Sequence, residues 1–244
     1  MISILSVAYK NRGGLERTFN SIQSQSVTDV QWIVVDGGSR DGTVEFLESK
    51  REWKRNFCFV SESDRGVYDA MNKGLKFVQG KWVIFLNAGD CFASSSALEK
   101  IIRFLSNEAD VFMFGWRYLD ENGKGVAIRH PRDTKCYISY GPPCCHQSAV
   151  FSAELFNTFS YELRYKTAAD YDLFARLYLN GARFLAFDEV VVDYELGGMS
   201  SSRWFSHSLE GYRIQRDVLN VPPVVRYFYF LRKAFTVMVM RWLR

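Results

Sequence analysis

The stretch Lys81–Asp90, KWVIFLNAGD, constrains the fold more than any other part of the chain. Its first half is an apolar run between two glycines, which is typical of a strand buried on both faces of a parallel sheet. Its second half, Asn87-Ala88-Gly89-Asp90, is a polar loop whose small residues leave room for a ligand beside the backbone. We expect Asp90 to stand at the carboxyl end of this strand, where open α/β sheets bind ligands. In the alternative interpretation, Asp90 only caps the following helix.

Strands and helices alternate regularly before this stretch. The runs Ile2–Tyr9, Gln31–Val35 and Phe57–Val60 are typical of strands. Helical stripes of apolar residues follow them, namely Leu15, Phe19 and Ile22 in the first helix, Val44 and Leu47 in the second, and the segment Val67–Val78 as the third. This β-α-β-α-β-α-β order predicts an α/β fold with a mostly parallel, right-handed sheet flanked by helices.

The second half of the chain has a different pattern. Ser96-x-x-Glu99 fits a capping box for a helix whose inward residues are predicted to be Leu98, Ile101, Ile102 and Leu105. The run Val111–Leu119 is followed by the turn sequence ENGKG at 121–125, which indicates a hairpin and therefore a more antiparallel sheet. We expect one domain over residues 1–202 and a C-terminal helical tail over 203–244.

Composition excludes several classes of protein. The formal net charge is +4, but residues 203–244 contain eight basic and two acidic residues (+6), which leaves −2 for the first 202 positions. This distribution argues against a nucleic-acid groove on the main body. Five cysteines without CxxC spacing predict reduced thiols in a cytoplasmic protein. The chain shows neither a signal-peptide pattern nor a stretch of about 20 apolar residues that could cross a bilayer.

The chemistry is expected at one edge of the sheet. Asp36 ends the second strand and Asp90 follows the fourth, so both carboxylates should lie at the same edge as the loop after the first strand. Asp36 could accept hydrogen bonds from a nucleobase or ribose, and the glycines at 37, 38 and 42 leave room for such a ligand. The chain has neither GxGxxG after its first strand nor GxxxxGK[ST], which argues against dinucleotide-binding and P-loop sites.

The motif series VAYKN, SIQSQ, WIVVDGGSRDGT, SESDRGVYDAMNKG and GKWVIFLNAGD resembles the family 2 nucleotide-sugar glycosyltransferases of the GT-A fold. The similarity is strongest to the branch that assembles bacterial exopolysaccharides such as colanic acid. It covers about residues 1–200 and is most specific up to Asp90. The resemblance implies a GT-A (Rossmann-like), mostly parallel mixed sheet.

The resemblance also implies roles for individual residues. The donor nucleotide sugar would be bound by Ala8, Tyr9, Asn11, Asp36, Gly37, Asp64, Asn72, Asn87, Ala88 and Gly89. The family's DxD metal motif corresponds to Asn87–Asp90, in which a neutral Asn87 replaces one carboxylate. Asp90 would therefore carry most of the coordination of a divalent cation, Mn²⁺ or Mg²⁺, together with phosphate oxygens and waters.

Inverting sugar transfer requires a carboxylate that deprotonates the acceptor hydroxyl. Asp170, in the segment TAADYDL at 167–173, matches the family's catalytic base, and Ala169 replaces the acidic residue that commonly precedes it. In the alternative, Asp170 or Asp172 only stabilises a helix N-terminus, worth about 0.3–1 kcal/mol.

His146 and Gln147 resemble the family segment that borders the acceptor, although a histidine hydrogen-bonded inside a packed strand is an equal alternative. The loop 196–201 (LGGMSS) would close over the donor or is a simple surface turn. A cysteine hydrolase that pairs Cys145 with His146 is disfavoured, because neighbours on a strand point to opposite faces.

The segment Val224–Arg244 is predicted to form a basic amphipathic helix, with Arg226, Lys233, Arg241 and Arg244 on one side and Leu231, Phe235, Met238 and Trp242 opposite. Such a helix can bind the headgroup layer of an anionic membrane, or pack on protein instead.

The sequence therefore predicts an inverting, metal-dependent hexosyltransferase that acts at the cytoplasmic face of the cell membrane. It would transfer sugar from a UDP- or GDP-type donor to a lipid-linked saccharide or other oligosaccharide. The alternatives are a catalytically silent nucleotide-sugar-binding or scaffold protein and, less favoured, a sugar nucleotidyltransferase.

Overall fold

The computed structural model describes residues 1–53, 56–120, 123–195 and 204–231. Its strands are β1 (Ile2–Ala8), β2 (Val30–Asp36), β3 (Phe57–Ser61), β4 (Trp82–Phe85), β5 (Cys91–Phe92), β6 (Val111–Leu119), β7 (Gly125–Arg129), β8 (Ala149–Ser152) and β9 (Phe184–Glu195). Its helices are α1 (Arg12–Gln23), α2 (Thr43–Glu48), α3 (Val67–Leu75), α4 (Ala97–Phe104), α5 (Thr134–Tyr137), α6 (Ala169–Leu179) and α7 (Trp204–Asp217). Two 3-10 turns cover His146–Ser148 and Ala153–Asn157.

The described strands form one mixed sheet in the order β3-β2-β1-β4-β8-β6-β9-β5, with β7 paired to β6. In its first half β1 lies between β2 and β4, and all pairings up to β3 are parallel, as the sequence predicts. Every residue of β1, β2 and β4 is buried, which shows that both faces of the sheet are covered there. Ala8 and Asp36 are partners at the ends of β1 and β2, so the following loops leave the sheet at one edge.

The second half is mainly antiparallel, which confirms the change of pattern seen in the sequence. Strand β8 pairs antiparallel with both β4 and β6, and β6 forms the predicted hairpin with β7. Residues 121 and 122 of the hairpin turn lie outside the described residues. Strand β9 pairs in parallel with β6, which the sequence pattern does not predict, and antiparallel with β5. Strand β4, in the stretch Lys81–Asp90, therefore lies at the junction of the two halves.

Four local predictions differ from the structure. The capping box is absent: Ser96 is the N-cap of α4 but makes no side-chain cap bond, and Glu99 binds Arg103 at 2.5 Å instead. Ile102 is 41% exposed, because it lies on the outer side of that short helix. Helix α3 ends at Leu75, and the following residues make hydrogen bonds three residues back instead of the four of an α-helix. In α2 the buried apolar residues are Phe46 and Leu47, and Val44 is only partly buried.

The C-terminal segment contains α7 and a second helical segment over 223–231. The predicted pattern puts Arg226 and Leu231 on opposite sides of this segment, and the two side chains differ in burial accordingly. Arg226 is buried with its guanidinium 4.9 Å from the ring centre of Tyr212, whereas Leu231 is 44% exposed. The rest of the predicted helix, residues 232–244, lies outside the described residues. Within the part of the chain that is described, no helix is both long and apolar enough to cross a bilayer.

Candidate active site

The loops at the carboxyl ends of the parallel strands enclose a cavity of about 1310 Å³. Its other wall is formed by the segment before β8 and by the beginning of α6. Of the site residues predicted from the sequence, those that line the cavity are Ala8, Tyr9, Asn11, Gly37, Asp64, Asn87, Ala88, Gly89, Asp90, His146, Gln147 and Asp170. The fold thus brings together residues that are up to 162 positions apart in the chain, from Ala8 to Asp170.

Two predicted residues do not line the cavity. Asn72 uses its side-chain amide on the backbone of Tyr161, accepting from the N–H at 2.9 Å and donating to the carbonyl at 2.9 Å. Asp36 is fully buried, and its carboxylate accepts from the backbone N–H of Ser39 at 2.9 Å and from the hydroxyls of Ser39 and Ser61 at 2.5 and 2.6 Å. In this arrangement Asp36 shapes the loop after β2.

The loop after β2 approaches its neighbours closely at Gly37. A Cβ added there would lie 2.6 Å from a carboxylate oxygen of Asp64 and 3.0 Å from the ring of Tyr9. Any larger residue would therefore displace two groups that line the cavity. Tyr9 itself is 59% exposed and lines the cavity.

The loop Asn87–Asp90 is held in place from helix α1. Asn11 caps α1 by accepting from the N–H of Gly14 at 3.1 Å, and it donates to the carbonyl of Ala88 at 3.0 Å. The buried hydroxyl of Thr18 accepts from the N–H of Gly89 at 3.0 Å and lies 2.8 Å from the carbonyl oxygen of Asp90. Gly89 has φ +109°, which favours glycine at this turn.

Asp90 stands in this loop with its side chain at the cavity but largely shielded from solvent. It is 7% exposed, and burial raises the pKa of its carboxyl group to about 7, with a smaller contribution from the nearby charge of Glu195. Gln147 donates to its Oδ2 at 2.9 Å and opposes that shift. Gln147 in turn accepts from the thiol of Cys145 at 2.9 Å, which fixes the orientation of its amide. Glu195 is paired with Arg17 at 2.5 Å.

The residues of this loop fit a divalent cation that takes only a few of its ligands from the protein. The side-chain oxygen Oδ1 of Asn87 is buried and has no hydrogen-bond partner in the structure. This oxygen is therefore available as a metal ligand in the same loop as Asp90. Asp90 has one oxygen occupied by Gln147. In the described ranges no three His, Cys, Asp or Glu side chains form a group that could hold a metal ion. A cation here would need further oxygens from a ligand and water.

Asp170 and Asp172 have different surroundings on α6. Asp172 is completely buried and accepts from Arg176 at 2.7 Å, away from the cavity. Asp170 lines the cavity, and its Oδ1 accepts from the hydroxyl of Tyr68 at 3.1 Å and from the N–H of Tyr171 at 2.9 Å. Only Asp170 of this pair can therefore reach a ligand in the cavity.

His146 lies at the cavity wall but is packed into the core. It is 5% exposed, its ring centre is 4.7 Å from that of Phe85, and its Nε2 is hydrogen-bonded to the hydroxyl of Tyr161. Burial lowers the pKa of His146 to about 4, so the ring is neutral at pH 7. It belongs to a 3-10 turn, and the sequence pattern of the following strand does not predict that turn.

Several residues of the site are not predicted from the sequence. Thr18 supports the Asn87–Asp90 loop, Tyr68 binds Asp170, and Glu210 of α7 contacts the backbone before α6. Tyr68 lies inside a motif block that the sequence indicates, so its position offered a signal. Thr18 and Glu210 are single polar residues in amphipathic helices, where nothing distinguishes them from surface positions.

Comparison with known proteins gives relatives that are named glycosyltransferases. The "PGL/p-HBAD biosynthesis glycosyltransferase" of Mycobacterium bovis (strain BCG / Pasteur 1173P2) is 30% identical over 217 residues, which cover 83% of this chain and 80% of the relative. The "Putative teichuronic acid biosynthesis glycosyltransferase TuaG" of Bacillus subtilis (strain 168) is 30% identical over 125 residues, 50% of this chain and 49% of the relative.

Solved structures share the fold at low sequence identity. S. aureus TarS 1-349 in complex with UDP has a TM-score of 0.70 at 19% identity, covering 96% of this chain and 72% of TarS 1-349. Mannosyltransferase PcManGT from Pyrobaculum calidifontis, in complex with GDP-Man and Mn²⁺, has a TM-score of 0.73 at 16% identity, covering 97% of this chain and 71% of that chain. The chain therefore has the predicted α/β fold of the GT-A type.

The model of the family described as "Glycosyl transferase family 2" matches residues 3–170. This range begins in β1 and ends at Asp170, so it contains the strand edge, the loop with Asp90 and the segment with His146 and Gln147. It covers more than half of the 244 residues. The protein belongs to glycosyl transferase family 2.

Proposed function

We propose that this glycosyltransferase is an inverting, metal-dependent hexosyltransferase. It transfers a sugar from a nucleoside diphosphate to a hydroxyl of a saccharide acceptor. The observation that carries the proposal is the placement of two carboxylates, Asp90 and Asp170, on one large cavity. Asp90 accepts a hydrogen bond from Gln147, and Asp170 accepts one from Tyr68. Both carboxylates line the cavity that would hold the reactants.

Asp170 is the proposed general base. The acceptor hydroxyl oxygen attacks the anomeric carbon of the donor, its proton passes to the Asp170 carboxylate, and the bond from the anomeric carbon to the diphosphate oxygen breaks. One displacement of this kind inverts the configuration at the anomeric carbon. The hydrogen bond from Tyr68 holds one carboxylate oxygen and leaves the other for the proton.

Asp90 and Asn87 are the proposed protein ligands of a divalent cation, through a carboxylate oxygen of Asp90 and the unpartnered Oδ1 of Asn87. The cation would neutralise negative charge on the departing diphosphate. Gln147 keeps Asp90 oriented toward the cavity, and Thr18 holds the loop that carries both ligands.

The proposed donor is a UDP- or GDP-type nucleotide sugar. The structural neighbours support this class, because TarS 1-349 was solved with UDP and with UDP-GlcNAc and PcManGT with GDP-Man. Tyr9 offers an exposed aromatic face for the base, and Asp64 offers a carboxylate at the same wall. Asp36 would contribute by holding the loop at Gly37 in place.

The proposed acceptor is a lipid-linked saccharide or other oligosaccharide used in polysaccharide or glycolipid assembly. His146 and Gln147 line the cavity in the segment before β8, where the acceptor would bind. The exposed side chains Val224, Tyr227 and Phe228 (66, 61 and 64% exposed) would hold the protein peripherally on the cytoplasmic face of the cell membrane. Co-sedimentation with vesicles containing phosphatidylglycerol tests this contact, and equal recovery with a Tyr227→Ser/Phe228→Ser variant would exclude it.

The donor class is tested by thermal unfolding with UDP, GDP, CDP, TDP and ATP, each with and without Mn²⁺. A ligand at about 100 times its dissociation constant adds about 2.7 kcal/mol, so the productive nucleotide should raise Tm clearly, and only with metal. Asp170→Asn should keep this shift and lose sugar transfer. Normal transfer by Asp170→Asn would refute the proposed base, and no shift with any nucleotide would favour a scaffold protein.

A further inference from the structure

Helix α6, which carries Asp170, begins without a capping side chain of its own. Its N-cap is Ala168, which makes no side-chain cap bond. The first N–H groups of a helix have no partner inside the helix, and buried ones need an acceptor from elsewhere. Thr167 and Ala168 are 4% and 0% exposed, so water cannot serve this purpose. Another part of the chain must supply the acceptor.

Glu210 of α7 supplies it for the N-cap residue Ala168 and for the two residues before it. One carboxylate oxygen accepts from the N–H of Lys166 at 2.9 Å. The other accepts from the N–H of Thr167 at 2.8 Å, from its hydroxyl at 2.9 Å and from the N–H of Ala168 at 3.0 Å. Glu210 is itself buried. One helical turn earlier, His207 binds the carbonyl oxygen of Thr167 through Nδ1 at 2.9 Å. Helix α7 therefore binds both N–H and carbonyl groups of this segment.

The site requires a group that only accepts hydrogen bonds. Four donors converge on the two oxygens of Glu210, and an ionised carboxylate has acceptor sites for all of them. Glutamine has nearly the same size and shape, but its NH₂ group would face one or more of these donors. A negative charge at this position is also favoured by the positive end of the α6 dipole.

We propose that Glu210 is a positioning residue for catalysis. By fixing the backbone of Lys166–Ala168, it determines where the carboxylate of Asp170, two residues further along, stands in the cavity. This rests on the proposed role of Asp170 as general base. Glu210 lies beyond residue 170, where the family match ends, so the segment after that range completes the site.

The test compares Glu210→Gln, Glu210→Asp and Asp172→Asn in the full chain. Asp172→Asn is the matched control, because it removes a buried carboxylate of α6 whose hydrogen bond goes to Arg176 and not to the Lys166–Ala168 backbone. The probe reaction is release of nucleoside diphosphate, with water as acceptor, from a nucleotide sugar that carries the nucleotide selected by the unfolding panel. Backbone hydrogen exchange at residues 166–168 is measured on the same proteins without ligand.

Glu210→Gln should lower kcat by up to about 100-fold with donor KM unchanged, and hydrogen exchange at 166–168 should accelerate. Glu210→Asp, which keeps an acceptor-only group, should retain more activity than Glu210→Gln. Asp172→Asn should keep kcat. A kcat of Glu210→Gln near that of the wild type, or a higher kcat for Glu210→Gln than for Glu210→Asp, would overturn the proposal. An active Asp170→Asn protein would instead refute the proposed base, which distinguishes the two failures.

Discussion

Replacement of Asp90 by asparagine should make the ligand-free protein more stable at neutral and alkaline pH. Burial raises the pKa of this carboxyl group from 3.8 to about 7 in the folded state. Between these values the folded protein holds a proton that the unfolded chain has released, so stability falls as the pH rises through this window. The asparagine of the Asp90→Asn variant would have no charge to bury, and its side-chain oxygen can still accept from Gln147.

The size of the effect follows from the same shift. At about 1.4 kcal/mol for each pKa unit, ionisation of Asp90 costs the fold about 2 kcal/mol at pH 5 and about 4 kcal/mol at pH 8. The difference in unfolding free energy between Asp90→Asn and the wild type should therefore grow by about 2 kcal/mol between these two pH values.

Urea unfolding at pH 5 and pH 8 in the presence of EDTA measures this difference. The exposed Asp29 offers a matched control, since Asp29→Asn removes a carboxylate that the fold does not bury. The variant's stability advantage must be lost when Mn²⁺ and the productive nucleoside diphosphate are added, because only the wild type would bind them through a carboxylate. Parallel stability curves for Asp90→Asn and the wild type from pH 5 to pH 8 would refute the burial argument.

Three further perturbations test the site and the core. Tyr68→Phe removes the hydrogen bond to Asp170, so kcat should fall about 10-fold while nucleotide affinity, measured by calorimetry, stays the same; a larger change in affinity than in kcat would contradict this role. Gly37→Ala places a methyl group 2.6 Å from a carboxylate oxygen of Asp64, so nucleotide affinity should fall. Unchanged affinity by calorimetry would show that the loop can move to accommodate the methyl group. Phe85→Ala removes a fully buried ring beside His146 and should lower the free energy of unfolding in urea by about 3–5 kcal/mol. A loss below about 1 kcal/mol would mean that neighbouring side chains fill the space left by the ring.

The sequence predicted the parallel half of the sheet well because its signals are local. Buried parallel strands are continuous apolar runs, and each of β1, β2 and β4 is such a run. The order of elements then places the strand ends at one edge, which brought most of the predicted residues to the cavity. The pairing of β6 with β9 joins segments about 70 residues apart, and no local pattern encodes it.

At the site, the sequence alone identified the polar loop Asn87–Asp90 and the acidic segment at 167–173. The family resemblance selects Asp170 as the base, but the residue pattern by itself does not distinguish it from Asp172, because both are near the start of the same helix. The choice depends on the direction of each side chain, which is set by packing: Asp172 turns to Arg176 in the interior, and Asp170 turns to Tyr68 at the cavity.

Tertiary structure also decided which polar groups are already occupied. Asn72 is bound to the backbone of Tyr161, and Gln147 orients Asp90. Glu210 binds the backbone N–H groups of Lys166–Ala168, just before a helix that begins more than 40 residues before it. The sequence determines which residues carry chemistry and at which strand ends they stand, because strand and helix periodicities are local. Their hydrogen-bond partners come from distant segments, and only the packing of the whole chain brings those segments into contact.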